Sequence, residues 1–165
     1  MTIHAAMQET PQAGFLSGYL ETLGLVERLH RLLLDLIKDE FERLGIPEVN
    51  AVQALLIFNI GGAEVTAGEL KSRGYYQGSN VSYNLRKLVE GGFMHHERSL
   101  VDRRSVRVRL TERGAEVRDI VAALFRRHAE TMEARGLIAR LMAEETNLTL
   151  KRLERYWTDQ IRYIY

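Results

Sequence analysis

Apolar residues recur at three- and four-residue steps along most of the chain, which is the spacing of amphipathic helices. A long first helix is predicted over residues 15–44, with apolar positions at Leu29, Leu32, Leu33, Leu36, Ile37, Phe41 and Leu44. At 1.5 Å per residue this helix is roughly 45 Å long, so part of it is expected to pack on another subunit. Gly45 and Pro47 end it, and residues 1–14 are predicted to form a flexible N-terminal tail.

Two short helices are predicted next, over Val49–Asn59 and Ala67–Arg73. The proline ahead of the first suits an N-terminal helical position, so that helix is expected to begin near Glu48. Thr66 is a suitable N-cap for the second helix, because Glu69 stands three residues later as in a capping box.

The pattern then changes from helix to strand. A short amphipathic helix is predicted over Ser79–Glu90, where the apolar residues share one face and the polar residues the other. The pair Gly91-Gly92 stops it. Apolar-rich runs follow at Phe93–Glu97 and Val106–Leu110, and the second alternates with arginine as a half-buried strand does. Helix, glycine stop, strand, basic loop and strand is the order of a winged helix-turn-helix.

Helical spacing returns after the second strand. Thr111 is a suitable N-cap for a helix from Glu112 to about Arg135, Gly136 interrupts the pattern, and a last helical segment extends to Tyr165. This last segment carries many large apolar side chains, so we expect a dimer interface to bury them. The alternative is that they pack within one subunit.

The predicted fold is therefore mainly α with a small β-wing, a winged helix-turn-helix core flanked by long dimerisation helices. Residues 1–14 form the tail and residues 15–45 the N-terminal dimerisation helix. Residues 46–111 form the DNA-binding lobe, and residues 112–165 form the C-terminal dimerisation helices.

Charge is spread unevenly along the chain, although the net charge is only +1. Residues 1–70 carry four basic and ten acidic side chains, residues 71–113 carry ten and four, and residues 114–165 carry nine and eight. A basic cluster on the predicted helix and wing is the electrostatic footprint of a phosphate-binding surface. The alternative is a solvated charged face.

Several classes of function lack the residues that they need. The chain has no cysteine, which excludes thiol-based sensing and zinc-thiolate sites. The five histidines show no metal-binding spacing. The sequence also shows no set of a catalytic nucleophile with its general base, and no phosphate-binding loop. We therefore expect neither an enzyme nor a cofactor. No apolar run is long enough for a membrane span, and no secretory signal is recognisable, so the protein is expected in the cytoplasm.

The wing carries a specific resemblance. Asp102-Arg103-Arg104, followed after five residues by Leu110-Thr111 and then Gly114, resembles the wing signature of the MarR family of transcriptional regulators. The run SNVSYNLRKLVEGGF is similar to the recognition helix of that family. The resemblance covers the chain from about Leu16 to the C-terminus. Within the family it is nearest the alphaproteobacterial branch that includes LdtR-like regulators of cell-wall remodelling genes.

The candidate DNA-binding residues lie on the helix and the wing: Ser79, Asn80, Ser82, Tyr83, Arg86, Lys87, Arg103 and Arg104. Short polar groups near a helix N-terminus bind phosphates or base edges, and arginine recognises guanine in the major groove. The resemblance implies that Arg104 enters the minor groove. The alternative for each single residue is an exposed position with no base contact.

The resemblance also implies a small aromatic or phenolic effector, bound between the dimerisation helices and the DNA-binding lobe. The candidate lining residues are Arg43, Ala54, Phe58, Tyr75 and Tyr76, and the alternative for each is a place in the core. The expected function is that of a cytoplasmic homodimeric repressor that binds a pseudo-palindromic operator and is relieved by this effector. The alternative is a winged-helix protein-interaction module that does not bind DNA.

Overall fold

The computed structural model describes residues 11–72, 78–98 and 106–164 of the chain. In these ranges the helices are α1 (Pro11–Leu44), α2 (Ala51–Ile60), α3 (Ala67–Ser72), α4 (Gly78–Glu90), α5 (Glu112–Ala134) and α6 (Arg140–Ile164). The strands are β1 (Val65–Thr66), β2 (Met94–Arg98) and β3 (Val106–Leu110). The prediction of a mainly helical chain with a small sheet is confirmed. The chain divides into two compact units, of which the first ends at Val121 and the second begins at Ala122.

The three strands form one antiparallel sheet in the order β1-β3-β2. Met94 pairs with Leu110 and Val65 pairs with Val108, so β3 lies in the centre. Strand β1 was not predicted, because two residues are too few to show a period of two. It nevertheless places the start of α3 beside the wing.

The core of the first unit lies between this sheet and the helices α1 to α5. The most deeply buried large side chains are Ile37, Leu56, Ile57, Val65, Leu70, Val81, Leu88, Val108 and Val121. Helix α4 contributes the residues that share its apolar face, as the spacing predicts, whereas α2 is buried over the consecutive residues Ala54, Leu55, Leu56 and Ile57. From α1, only the C-terminal part contributes to this core, through Ile37, Glu40 and Phe41.

Helix N-termini are set by side-chain caps. Thr66 and Glu69 form the predicted capping box, with hydrogen bonds of 3.1 Å and 2.6 Å between each side chain and the other residue's backbone N–H. The predicted start of α2 near Glu48 is wrong, because Asn50 is its N-cap and accepts a hydrogen bond from the backbone N–H of Gln53 at 2.9 Å.

The start of α1 also differs from the prediction. Helix α1 begins at Pro11 rather than at residue 15, because proline needs no hydrogen-bond partner in a first turn and its φ suits a helix. Residues 1–10 of the predicted tail lie outside the described residues. Helix α6 begins at Arg140 and continues through Thr146, whose hydroxyl donates a hydrogen bond to the carbonyl of Met142.

Large apolar side chains stay exposed on helices of both units. In the first unit they lie on α4 at Tyr83 and along α1 at Phe15, Leu16, Leu20, Leu25, Val26, Leu29, Leu32, Leu36 and Leu44. In the second unit they lie on α5 at Met132, and on α6 and the turn before it at Leu137, Ile138, Leu141, Met142, Leu148, Leu150, Tyr156, Trp157 and Ile161. Within each unit taken by itself, these side chains are exposed. In the described ranges, no helix is both long and apolar enough to cross a membrane.

Candidate nucleic-acid interface

Helix α4 separates a buried face from an exposed polar face. Val81, Leu85 and Leu88 are buried against the lobe. The exposed side chains include those of Asn80, Ser82, Tyr83, Arg86 and Lys87. Ser79 lies in the first turn of the same helix. The structure thus brings five predicted DNA-binding side chains to one solvent-facing surface, as the helical period requires.

The two cations of this surface are held by exposed contacts that solvent screens. Glu90 accepts a hydrogen bond from Lys87 at 3.1 Å, and its other carboxylate oxygen lies 3.9 Å from Nε of Arg86. The Arg86 guanidinium also lies 5.8 Å from the ring centre of Tyr83. Exposed ion pairs contribute about 0–1 kcal/mol each, so a phosphate or a base edge can replace Glu90 as the partner.

Asn84 is a polar residue of α4 that was not among the predicted site residues. It is buried, and its Nδ2 donates a hydrogen bond of 2.9 Å to the carbonyl of Asn80. A polar residue among the apolar positions of an amphipathic helix was the signal that could have identified it.

The base of the wing carries further arginines. Arg107 lies 3.7 Å from the carboxylate of Glu64, and Arg109 lies 3.8 Å from that of Glu97 on the neighbouring strand. These ion pairs are as exposed as those of Glu90, so a phosphate can replace their carboxylates as well. The predicted wing residues Asp102, Arg103 and Arg104 lie outside the described residues.

The C-terminal end of α4 is bound by the first residues of α5. The carbonyl of Gly91 accepts a hydrogen bond of 3.0 Å from Nη1 of Arg113. The carbonyl of Gly92 accepts one of 2.8 Å from the hydroxyl of Thr111, and the carbonyl of Phe93 accepts one of 3.1 Å from the Thr111 backbone N–H. Three consecutive carbonyls after α4 therefore have partners in a segment about twenty residues away in sequence.

The predicted effector residues differ in exposure. Ala54 is fully buried in the core and Phe58 is half-buried. Arg43 is exposed, and its guanidinium donates two hydrogen bonds, of 2.9 and 3.0 Å, to the buried carboxylate of Glu40. These hydrogen bonds and the charge of Glu40 raise the pKa of Arg43. Tyr75 and Tyr76 lie outside the described residues.

Two cavities of the first unit are lined by other residues. One, of about 700 Å³, lies at the turn between α1 and α2 and is lined by Lys38, Phe41, Glu42, Gly45, Ile46, Pro47, Val49, Asn50, Ala51 and Val52. The other, of about 390 Å³, lies between α1 and α4 and is lined by His30, Leu34, Asn50, Val52, Asn80, Tyr83 and Asn84. Neither cavity is lined by Arg43, Ala54 or Phe58. Over the part of the chain that the structure describes, no three histidine or carboxylate side chains are grouped to hold a metal ion.

Known proteins resemble the chain at three levels. Residues 49–114 match the winged helix DNA-binding domain family. The exopolysaccharide II synthesis transcriptional activator ExpG of Rhizobium meliloti (strain 1021) is 37% identical over 148 residues, which cover 88% of this chain and 74% of ExpG. The Staphylococcus aureus MarR in complex with salicylate and kanamycin is 21% identical, with a TM-score of 0.68, over 91% of this chain and 99% of that one. A mutant MarR from E. coli complexed with operator DNA is 21% identical, with a TM-score of 0.64, over 82% and 95% of the two chains.

Proposed function

The chain belongs to the MarR family of winged-helix transcriptional regulators, and we propose that it acts as a homodimer on a pseudo-palindromic operator. It is a regulator rather than an enzyme. The observation that carries the proposal is the exposed polar face of α4, which presents Asn80, Ser82, Tyr83, Arg86 and Lys87 together. Side chains of these types, on a helix of this length, suit the major groove of B-DNA.

Each subunit would place α4 in the major groove and its wing in the adjacent minor groove. Arg103 and Arg104 are the wing residues that we propose for DNA contact. A two-fold dimer requires half-sites about one helical turn apart, because its two recognition helices face the same side of the duplex. The solved structure of the E. coli MarR mutant with operator DNA supports this arrangement by its similar fold.

Selection of bound fragments from genomic DNA with the purified protein tests this proposal. We expect enrichment of an inverted repeat, and an affinity that falls steeply as salt rises, because phosphate contacts release counterions. The same titration on random-sequence DNA separates the two candidate functions. A winged-helix module that binds only proteins would show neither enrichment nor salt-dependent binding.

Paired variants distinguish the helix from the wing. Arg86→Ala is expected to weaken binding to the selected operator by about 1–3 kcal/mol, and binding to random DNA much less, if Arg86 contacts a base. Arg104→Ala is expected to weaken both, and to reduce the slope of log affinity against log salt by about one unit. Fluorescence anisotropy at matched salt measures both effects.

Arg118→Ala is the control for these variants. It also removes one positive charge, but Arg118 lies on α5 and its guanidinium pairs with Asp119 at 2.8 Å. Equal losses of operator affinity for Arg86→Ala and Arg118→Ala would mean that Arg86 makes no specific contact with DNA. An unchanged affinity and salt slope for Arg104→Ala would mean that the wing does not contact DNA.

We propose repression as the mode of regulation, because a dimer that covers a promoter excludes RNA polymerase without contacting it. The 37% identical relative is named an activator, which makes activation the competing outcome. A reporter fused to the selected operator separates them. Deleting the gene for this protein raises reporter expression under repression and lowers it under activation.

A small aromatic acid or phenol is the effector class that we propose, with salicylate as the first probe because it is bound in the S. aureus structure. A volume of about 700 Å³ at the turn between α1 and α2 is that of a ligand pocket. Salicylate is expected to raise the melting temperature and lower DNA affinity, whereas acetate at the same concentration should do neither.

Peroxide should leave DNA affinity unchanged, because the chain has no cysteine thiol. Should no aromatic acid or phenol change DNA affinity, regulation by protein abundance would replace this proposal.

A further inference from the structure

We propose that Thr111 and Arg113 are positioning residues for DNA recognition, which set the direction of α4 from its C-terminal end. The inference rests on the proposed function, since it concerns how α4 meets the operator. These two residues bind the carbonyls of Gly91, Gly92 and Phe93, which are the first three residues after α4.

The planar guanidinium of Arg113 makes three contacts. Its Nη1 donates to the carbonyl of Gly91, its Cζ lies 4.4 Å from the ring centre of Phe93, and its Nη2 lies 3.5 Å from the carboxylate of Glu48. Glu48 belongs to the turn between α1 and α2. A guanidinium beside the C-terminal end of a helix also meets the negative end of the helix dipole. Arg113 therefore joins the end of α4 to two other elements of the lobe.

Thr111 completes the connection through its hydroxyl. The hydroxyl donates to the carbonyl of Gly92 and accepts a hydrogen bond of 3.1 Å from the backbone N–H of Gly114. The threonine thus caps α5 and holds the end of α4 with the same oxygen atom. The backbone N–H groups of Gly91 and Phe93 in turn close the last turn of α4 at 2.9 Å each, on the carbonyls of Lys87 and Leu88.

The length of α4 makes its direction sensitive to this end. The first residue of α4 stands about 18 Å from its last at 1.5 Å per residue, so a tilt of roughly 10° moves it by about 3 Å. Hydrogen bonds to base edges need donor to acceptor distances of about 2.7–3.2 Å, so such a displacement removes them. Attraction to phosphates acts over about 10 Å at moderate salt and survives the same displacement. Loss of the connection should therefore reduce specific binding far more than non-specific binding.

Arg113→Gln and Arg113→Lys test the proposal, with Arg118→Gln as the control that removes one charge from the same helix. Binding is measured by anisotropy at matched salt, on the operator selected with the wild-type protein and on a random duplex of equal length. We expect Arg113→Gln to lower operator affinity about tenfold, which corresponds to about 1.4 kcal/mol. Binding to the random duplex should change no more than it does for Arg118→Gln.

The lysine variant separates positioning from direct phosphate contact. Lysine keeps the charge and meets phosphates well, but it cannot stack on Phe93, bond Gly91 and pair with Glu48 through one planar group. We expect Arg113→Lys not to restore operator affinity. The proposal would be overturned if Arg113→Lys restored operator affinity and Arg113→Gln lost equal affinity for both duplexes. Wild-type operator affinity in Arg113→Gln would also overturn it.

Hydrogen exchange tests the connection without DNA. In both Arg113 variants the backbone amides of Gly91, Gly92 and Phe93 should exchange faster, while those of α2 keep their wild-type rates. Unchanged exchange at these three amides would overturn the proposal. This test does not depend on DNA binding, so it holds even if the wild-type protein binds no operator. If Arg113→Gln does not fold, Arg113→Lys and Glu48→Gln are measured in its place, and the same accelerated exchange is expected in both.

Discussion

Gly114→Ala is expected to destabilise the DNA-binding lobe by about 3 kcal/mol, the upper end for overpacking a well-packed site. A Cβ at position 114 would overlap the carbonyl oxygen of Phe93 and lie 3.3 Å from the Cβ of Leu110. That carbonyl accepts the backbone N–H of Thr111, so it cannot move away without breaking the bond. The clash is with backbone rather than with a flexible side chain, so relieving it requires a backbone shift that lowers the free energy of unfolding of the lobe.

Urea unfolding followed by circular dichroism at fixed protein concentration measures the loss. Gly68→Ala is the matched control, because a Cβ there meets only the Thr66 hydroxyl oxygen, at 3.8 Å. We expect the control to change stability by less than about 1 kcal/mol, the scale of glycine-to-alanine effects in helices. Equal stability of the two variants would mean that the close approach of α5 to Phe93 is absent in solution.

Trp157→Asp combined with Ile161→Asp is expected to convert the proposed dimer to a monomer and to lower operator affinity at least a hundredfold. The two side chains are 41% and 63% exposed in the single chain and lie four residues apart on α6. A second subunit is the simplest way to remove such a surface from water, and carboxylates there would oppose its burial. Loss of the dimer also separates the two half-site contacts, whose linkage is worth about 10²–10⁴ in affinity.

Light scattering gives the mass directly, with about twice 19.0 kDa expected for the wild type and 19.0 kDa for the double variant. Lys151→Gln combined with Arg155→Gln is the control, because this pair also lies four residues apart but on the polar face of α6. It should remain a dimer. A wild-type monomer that binds its operator tightly would contradict both the dimer and the role given to α6.

The recognition helix and the wing strands were predictable because their signals are local. Val81, Leu85 and Leu88 share a helical face whatever else the chain does, and the structure buries all three. The alternation of Val106–Leu110 predicted β3 with its observed bounds. The caps at Thr66 and Thr111 were also predictable, because a cap depends on residues within one turn.

The predicted effector residues illustrate the opposite case, because an effector cleft depends on contacts between elements, and they stay a prediction. Arg43, a possible lining residue on the first helix, donates two hydrogen bonds to Glu40. Ala54, a possible lining residue on the second helix, is buried. Which side of a short, largely apolar helix faces a cavity depends on every element around it, and helical spacing does not contain that information.

The sequence by itself determined the family, the order of the elements and the polar face of α4, since each follows from residues close together in the chain. Only the tertiary structure decided that two residues form a strand beside the wing, and that Arg113 and Thr111 bind the three carbonyls after α4. These contacts join segments about twenty or more residues apart. No periodic pattern in the sequence predicts such a contact, because every residue carries the same backbone carbonyl. Only the packing of α5 against the end of α4 decides which carbonyls are bound.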